Sequence, residues 1–240
     1  MRGRLLFAVS AYVVLALLVV GWGWLLTHPL EGAVDPVDDD ISRWFAGERT
    51  TWLDPVAQAG TLLGETPVGL AAGAVVGIVA ALLLRAFWPL LLVLLADVGN
   101  GGLYWLGSNA DPRDRPPVHI LDAGLVPTHS FPSGHVGTAV AVYGSSALLL
   151  ALWLRSRGRS GRSGGALRVL VVLLAAVPLF VALSRLYQGA HHLTDVGTSL
   201  VYGTLWLAAV LTLARPRPAP AEPAVPRSAR GDEHTPVPHR

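Results

Sequence analysis

Long apolar runs alternate with short polar connections along the chain. A helix that crosses a bilayer needs about 20 mostly apolar residues, and six runs approach or exceed this length. They predict an all-α protein, an integral-membrane bundle of six helices that extends over residues 1–214. The predicted spans cover residues 5–27, 67–84, 86–107, 134–154, 166–184 and 193–214.

Three polar segments do not fit a span. Residues 31–66 carry several carboxylates around Trp44 and Trp52, which is typical of an amphipathic stretch at the membrane surface, either a lid or a connector. The loop 155–165 is rich in Gly, Ser and Arg and is predicted to be a flexible link. Residues 215–240 are rich in Pro and Arg and are predicted to form a disordered cytoplasmic tail.

The composition supports a multi-pass protein of the cell membrane. Hydrophobic residues make up 52% of the 240 residues and charged residues 14%, which excludes an ordinary soluble domain. No cysteine occurs, which excludes disulfides and thiolate metal sites.

The basic residues predict the orientation in the membrane. All 18 of them are arginine, and with a cytoplasmic amino terminus 13 fall inside and five outside. The positive-inside rule therefore places both termini in the cytoplasm. Because the arginines sort by loop, the net charge of +2 does not indicate a nucleic-acid partner. The five outer arginines are Arg43, Arg49, Arg113, Arg115 and Arg185.

The predicted topology places two polar loops, 107–135 and 185–195, at the outer surface. In the second loop, His191 and Asp195 are four residues apart at the start of a helix, so they would share one helical face. The carboxylate of Asp195 would accept the Nδ1–H of His191 and leave Nε2 as an oriented nucleophile or base. The alternative is that His191 and His192 simply lie among the lipid headgroups.

The first loop ends in the stretch HSFPSGH, immediately before an apolar run. Gly134 allows the backbone to approach a ligand closely, and the free N–H groups at the start of a helix attract anions. Ser133 adds a hydroxyl donor. Arg115 and Arg185 add forked donors that match phosphate oxygens. Together these residues predict a phosphate-binding site.

His135 follows the phosphate-binding stretch directly. At this position it can protonate a leaving oxygen, as a general acid does. A metal site built from the histidines and Asp195 is a weaker alternative, because the arginines would repel a cation. We therefore expect neither a metal nor another cofactor.

These motifs resemble those of the type 2 phosphatidic acid phosphatase superfamily, whose members carry KxxxxxxRP, PSGH and SRxxxxxHxxxD. The second motif is complete at residues 132–135, and the third is complete in SRLYQGAHHLTD. In the first motif, Arg115 and Pro116 match but Ser108 stands where the family has lysine. Ten of the eleven fixed positions match in the right order.

The resemblance implies a mechanism that uses no metal. His191 would attack phosphorus to give a phosphohistidine, Asp195 would orient it, and His135 would protonate the leaving group. The motif spacing selects His191 over His192. Because the lysine is missing, Arg113 could supply its charge to the phosphate, or the site could work with less positive charge. The family's phosphate-binding positions match Arg115, Ser133, Gly134 and Arg185.

The expected function is that of an integral-membrane lipid phosphatase with its active site on the outer side. Candidate substrates are phosphatidylglycerophosphate, phosphatidic acid and a polyprenyl diphosphate such as undecaprenyl diphosphate. One alternative is a phosphotransferase that passes the phosphoryl group to an alcohol instead of water. Another is a non-catalytic lipid-binding or transport protein, for which Asp97 and Asn100 within the third span are the best support. The preferred interpretation of these two residues is that they bond neighbouring helices next to GNGG, where small residues allow close packing.

Overall fold

The structure, a computed structural model, describes residues 2–157 and 162–214. Over these ranges the regular structure consists of helices alone, and six of the helices are long and apolar enough to cross a membrane. The predicted six-span, all-α architecture is confirmed. The predicted tail and residues 158–161 of the predicted link lie outside the described residues. The helices are α1 (Arg2–Thr27), α2 (Glu31–Gly47), α3 (Asp54–Gly64), α4 (Thr66–Leu84), α5 (Trp88–Ala110), α6 (Gly134–Ser156), α7 (Arg162–Tyr187) and α8 (Leu193–Ala214).

The bundle is arranged around α6, the most enclosed of the spans. Small residues let the neighbouring helices approach it closely. A Cβ atom added to Gly69 of α4 would lie 2.3 Å from Thr138, and one added to Gly137 would lie 2.4 Å from the side chain of Asn100 on α5. Large apolar side chains such as Leu17 and Leu82 point away from the bundle and are exposed, as expected of lipid-facing surfaces.

Residues 31–66 contain two helices, α2 and α3. Val37 and Trp44 of α2 are exposed, in keeping with a helix that lies at the membrane surface. The following helix, α3, packs against α7 so tightly that a Cβ atom on Gly60 would lie 1.9 Å from the Ser184 hydroxyl. α2 and α3 therefore form one side of the end of the bundle where the polar residues collect.

Backbone hydrogen bonds join two segments of the long loop between α5 and α6, at the end of the bundle where the polar residues collect. Ser130 N donates to the carbonyl of Arg113 at 3.0 Å, and Arg115 N donates to the carbonyl of Pro127 at 3.1 Å. The segment around Arg113 thus runs alongside the segment that enters the HSFPSGH stretch. This pairing brings the first and second sequence motifs together.

Candidate active site

Four parts of the chain meet at this end of the bundle: the α5–α6 loop, the start of α6, the end of α7 and the turn that leads into α8. His135, at the start of α6, lies within electrostatic reach of Arg185, His191 and Arg115. It also contacts α3, because a Cβ atom on Gly64 would lie 2.9 Å from the Cβ of His135. The structure therefore brings the predicted nucleophile, proton donor and two arginines into one site.

The imidazole of His191 is oriented by a backbone carbonyl. Its Nδ1 lies 2.6 Å from the carbonyl oxygen of Ser130. Since a carbonyl can only accept, Nδ1 carries the proton and Nε2 keeps its lone pair. The prediction that Asp195 accepts this proton was wrong, because its Oδ2 is 3.8 Å from Nδ1, too far for a hydrogen bond.

Burial lowers the pKa of His191 to about 4, because a charged imidazole is costly away from water. The nearby carboxylate of Asp195 opposes this shift, and the positive charge of Arg185 adds to it. The imidazole is therefore neutral at neutral pH, as a nucleophile must be.

Asp195 is fully buried, and Ser130 bonds both Asp195 and His191. Its Oδ2 accepts from the Ser130 hydroxyl at 2.6 Å and from the backbone N–H of His192 at 2.8 Å. The same serine thus bonds Asp195 with its hydroxyl and His191 with its carbonyl. The sequence did not identify Ser130 as a site residue, although it lies in HSFPSGH. It is 61 positions from His191, and no helical or strand periodicity relates residues that far apart.

Arg185 is fully buried and offers one edge of its guanidinium to a ligand. Its Nη1 donates to Asp122 Oδ2 at 2.7 Å, to Gln188 Oε1 at 3.1 Å and to Thr61 Oγ1 at 3.2 Å. Its Nε and Nη2 are buried with no hydrogen-bond partner in the described part of the chain, and so is the hydroxyl of Ser133. Unpaired buried donors are costly, and Nε with Nη2 is a pair of parallel donors of the kind that binds an oxyanion bidentately.

Arg115 lies at the same site but is held by backbone carbonyls. Its Nε donates to Val126 at 2.8 Å, its Nη2 to His129 at 2.9 Å, and its Nη1 to Ala190. Burial lowers its pKa, and the neighbouring positive charge of Arg185 lowers it further. Since a guanidinium has five N–H groups, Arg115 can hold the loop and still donate to a ligand.

Comparison with known proteins agrees with this arrangement. The family model of the PAP2 superfamily matches residues 85–218, which is more than half of the chain. The chain belongs to the PAP2 superfamily. Phosphatidylglycerophosphatase B of Bacillus subtilis (strain 168) is 28% identical over 170 residues, covering 68% of this chain and 76% of that protein.

A solved structure shares the fold. It is the crystal structure of a transmembrane PAP2-type phosphatidylglycerolphosphate phosphatase from Bacillus subtilis, with a TM-score of 0.65 and 24% identity. The similarity covers 86% of this chain and 94% of that one. The two proteins thus share their fold.

Ser108 stands at the position of the PAP2 lysine and carries no charge. The charge of the nearby Arg113 is taken up by carboxylates. Ser108 is buried, and its hydroxyl donates to the carbonyl of Trp105 at 3.4 Å. Arg113 was predicted to bind phosphate, but its Nη1 donates to Asp195 at 2.7 Å and its Nη2 to Asp38 at 3.0 Å and Asp35 at 2.7 Å. Burial lowers the pKa of Arg113, but these three carboxylates outweigh it and raise the pKa.

The geometry therefore contradicts the expectation for Arg113. Its spacing from Arg115 suggested a phosphate ligand, whereas carboxylates distant in sequence neutralise its charge. Among the described residues, no group of three or more His, Cys, Asp or Glu side chains is arranged to hold a metal ion. Metal independence stays a prediction.

Proposed function

We propose that this PAP2 protein is an integral-membrane lipid phosphatase that hydrolyses a phosphate monoester or diphosphate of a lipid through a phosphohistidine. The observation that carries the proposal is a pair of donors on buried Arg185 and the hydroxyl of Ser133, none of which has a partner among the residues that the structure describes. They lie at the site of an oriented and neutral His191. Such donors stabilise a phosphoryl group as charge builds up on it.

The reaction has two steps. In the first, Nε2 of His191 forms a bond to phosphorus, the bond from phosphorus to the lipid oxygen breaks, and His135 gives that oxygen a proton. In the second, the oxygen of a water molecule forms a bond to phosphorus, the bond from phosphorus to Nε2 of His191 breaks, His135 takes a proton from the water, and inorganic phosphate leaves. The donors of Arg185, Arg115 and Ser133, with the backbone at Gly134, hold the phosphoryl oxygens in both steps.

The substrate class follows from the position of the site. It lies where the spans end, next to the surface helix α2, so a phosphorylated lipid headgroup is the natural substrate. The orientation predicted from the arginines places this end on the outer side of the cell membrane. Phosphatidylglycerophosphate is the first substrate to test because the relatives described above are named for it.

A phosphate-release assay tests the proposal. We expect purified protein to release inorganic phosphate from at least one of phosphatidylglycerophosphate, phosphatidic acid and undecaprenyl diphosphate, in EDTA. His191→Ala should abolish turnover, whereas His192→Ala should keep much of it, and acid-labile label from ³²P substrate should appear on His191 only. Turnover in His191→Ala but not in His192→Ala would contradict the assignment. Label that passes to an added alcohol would instead identify a phosphotransferase.

A further inference from the structure

We propose that Asp38 on the surface helix α2 is, together with Arg113, a positioning residue for the nucleophile His191. This inference rests on the proposed function, because it assigns Asp38 a part in setting the geometry of that reaction. Neither residue touches the reacting atoms. Their effect passes through Asp195 and the first turn of α8.

Asp38 caps α8 from a different helix. It is 2% exposed, although Val37 and Trp44 of the same helix are exposed. Its Oδ1 accepts from the backbone N–H of Thr194 at 3.2 Å, and its Oδ2 accepts from the hydroxyl of the same residue. Thr194 is the second residue of α8, and such first-turn N–H groups have no acceptor within their own helix. Asp38 therefore fixes where α8 begins, two residues after His191.

Arg113 extends the contact from Asp38 to Asp195. Its guanidinium is 4% exposed, with Nη2 at 3.0 Å from Asp38 Oδ2 and Nη1 at 2.7 Å from Asp195 Oδ1. From Asp195 the contacts continue through the Ser130 hydroxyl and the Ser130 carbonyl to His191. Hydrogen bonds, joined through the covalent structure of Ser130, thus connect the surface helix to the imidazole.

The charged side chains around Arg113 depend on one another, so the loss of one of them should disturb the rest. The single positive charge of Arg113 faces the carboxylates of Asp35, Asp38 and Asp195. The ring of His192 also lies near two carboxylates, 3.5 Å from Asp39 and 3.4 Å from Asp195. Removing the charge of Asp38 would let Arg113 shift toward its remaining partners, because buried charges need their partners close. Asp195 would shift with it, and the ring of His191 would lose its alignment.

The test compares Asp38→Asn with the matched control Asp40→Asn in the full chain. Both changes remove one carboxylate from α2, but Asp40 is 79% exposed and pairs with Arg43 on the same helix. In Asp38→Asn we expect kcat to fall on the order of a hundredfold, as for a misplaced reacting group. KM should change less than about threefold, because the phosphate-binding donors are elsewhere. Asp40→Asn should match the wild type in every measurement.

Two further measurements separate positioning from folding and from activity. Hydrogen exchange at the backbone amides of His192 and Thr194 should be faster in Asp38→Asn, while the melting temperature and the amount of folded protein stay near those of the wild type. The double variant Asp38→Asn with Arg113→Gln should lose less activity than the product of the two single losses, because coupled residues are not additive.

The outcomes distinguish this inference from the proposed function. If the wild type releases phosphate from no lipid, the proposed function fails, and unchanged exchange in Asp38→Asn would then overturn the inference as well. If the wild type is active and Asp38→Asn keeps kcat within about threefold, the inference is overturned and the function stands. A loss of kcat that only follows a loss of folded protein also overturns it.

Discussion

The replacement Arg185→Lys would show whether the free edge of this guanidinium binds the phosphoryl group. It keeps a positive charge but replaces a planar fork by one nitrogen. In the structure, Nη1 donates to Asp122 at 2.7 Å, Gln188 at 3.1 Å and Thr61 at 3.2 Å. Nε and Nη2 have no hydrogen-bond partner within residues 2–157 and 162–214. A lysine nitrogen drawn to the Asp122 carboxylate can retain at most one of the two contacts with phosphate.

The expected magnitude follows from the number of donors lost. One donor aimed at developing charge is worth about 2.7–4 kcal/mol, or roughly a hundredfold to a thousandfold in rate. Since Arg185→Lys loses at least one such donor, kcat/KM should fall by about that factor. Initial rates of phosphate release measure it, and orthovanadate should bind correspondingly more weakly. The control Arg43→Lys alters an exposed residue paired with Asp39 and Asp40 and should change the rate less than about twofold.

A small effect would refute this account of the site. If Arg185→Lys folds as the wild type does and keeps kcat/KM within about tenfold, the edge formed by Nε and Nη2 does not bind the transferred phosphoryl group. The role of Arg185 would then be to hold Thr61, Asp122 and Gln188 together.

Two other predictions concern protonation and orientation. Because burial lowers the folded-state pKa of His191 from 6.5 to about 4, the unfolded state binds the extra proton first on acidification. At about 1.4 kcal/mol per pKa unit, stability should fall by up to about 3 kcal/mol from above pH 6.5 to pH 4. His191→Gln should lack this loss of stability between pH 6.5 and pH 4. If the free energy of unfolding falls equally with pH in the variant and the wild type, the prediction is contradicted. A topology reporter after Arg240 should be active only in the cytoplasm and one near Ala110 only outside, so activity of both on one side would contradict the orientation.

The sequence by itself determined the architecture of this protein. Each apolar run is long enough to cross a bilayer, and in lipid a single segment can satisfy its backbone only as a helix. The spacing within PSGH and SRLYQGAHHLTD also identified His135, His191 and Arg185 as candidates, because short motifs place their side chains by local geometry alone. The family match confirms the family that these motifs suggested.

Only the tertiary structure decided what several of these residues contact. Arg113 looked like a phosphate ligand in sequence, but Asp38, 75 residues away, and Asp195, 82 residues away, take its donors. Asp195 looked like the partner of His191, yet Ser130 lies between them. Local periodicity relates only residues within a few turns, whereas the partners of a buried charge are chosen by how the helices pack, and each of these contacts joins segments that the packing of α2, α8 and the α5–α6 loop brought together.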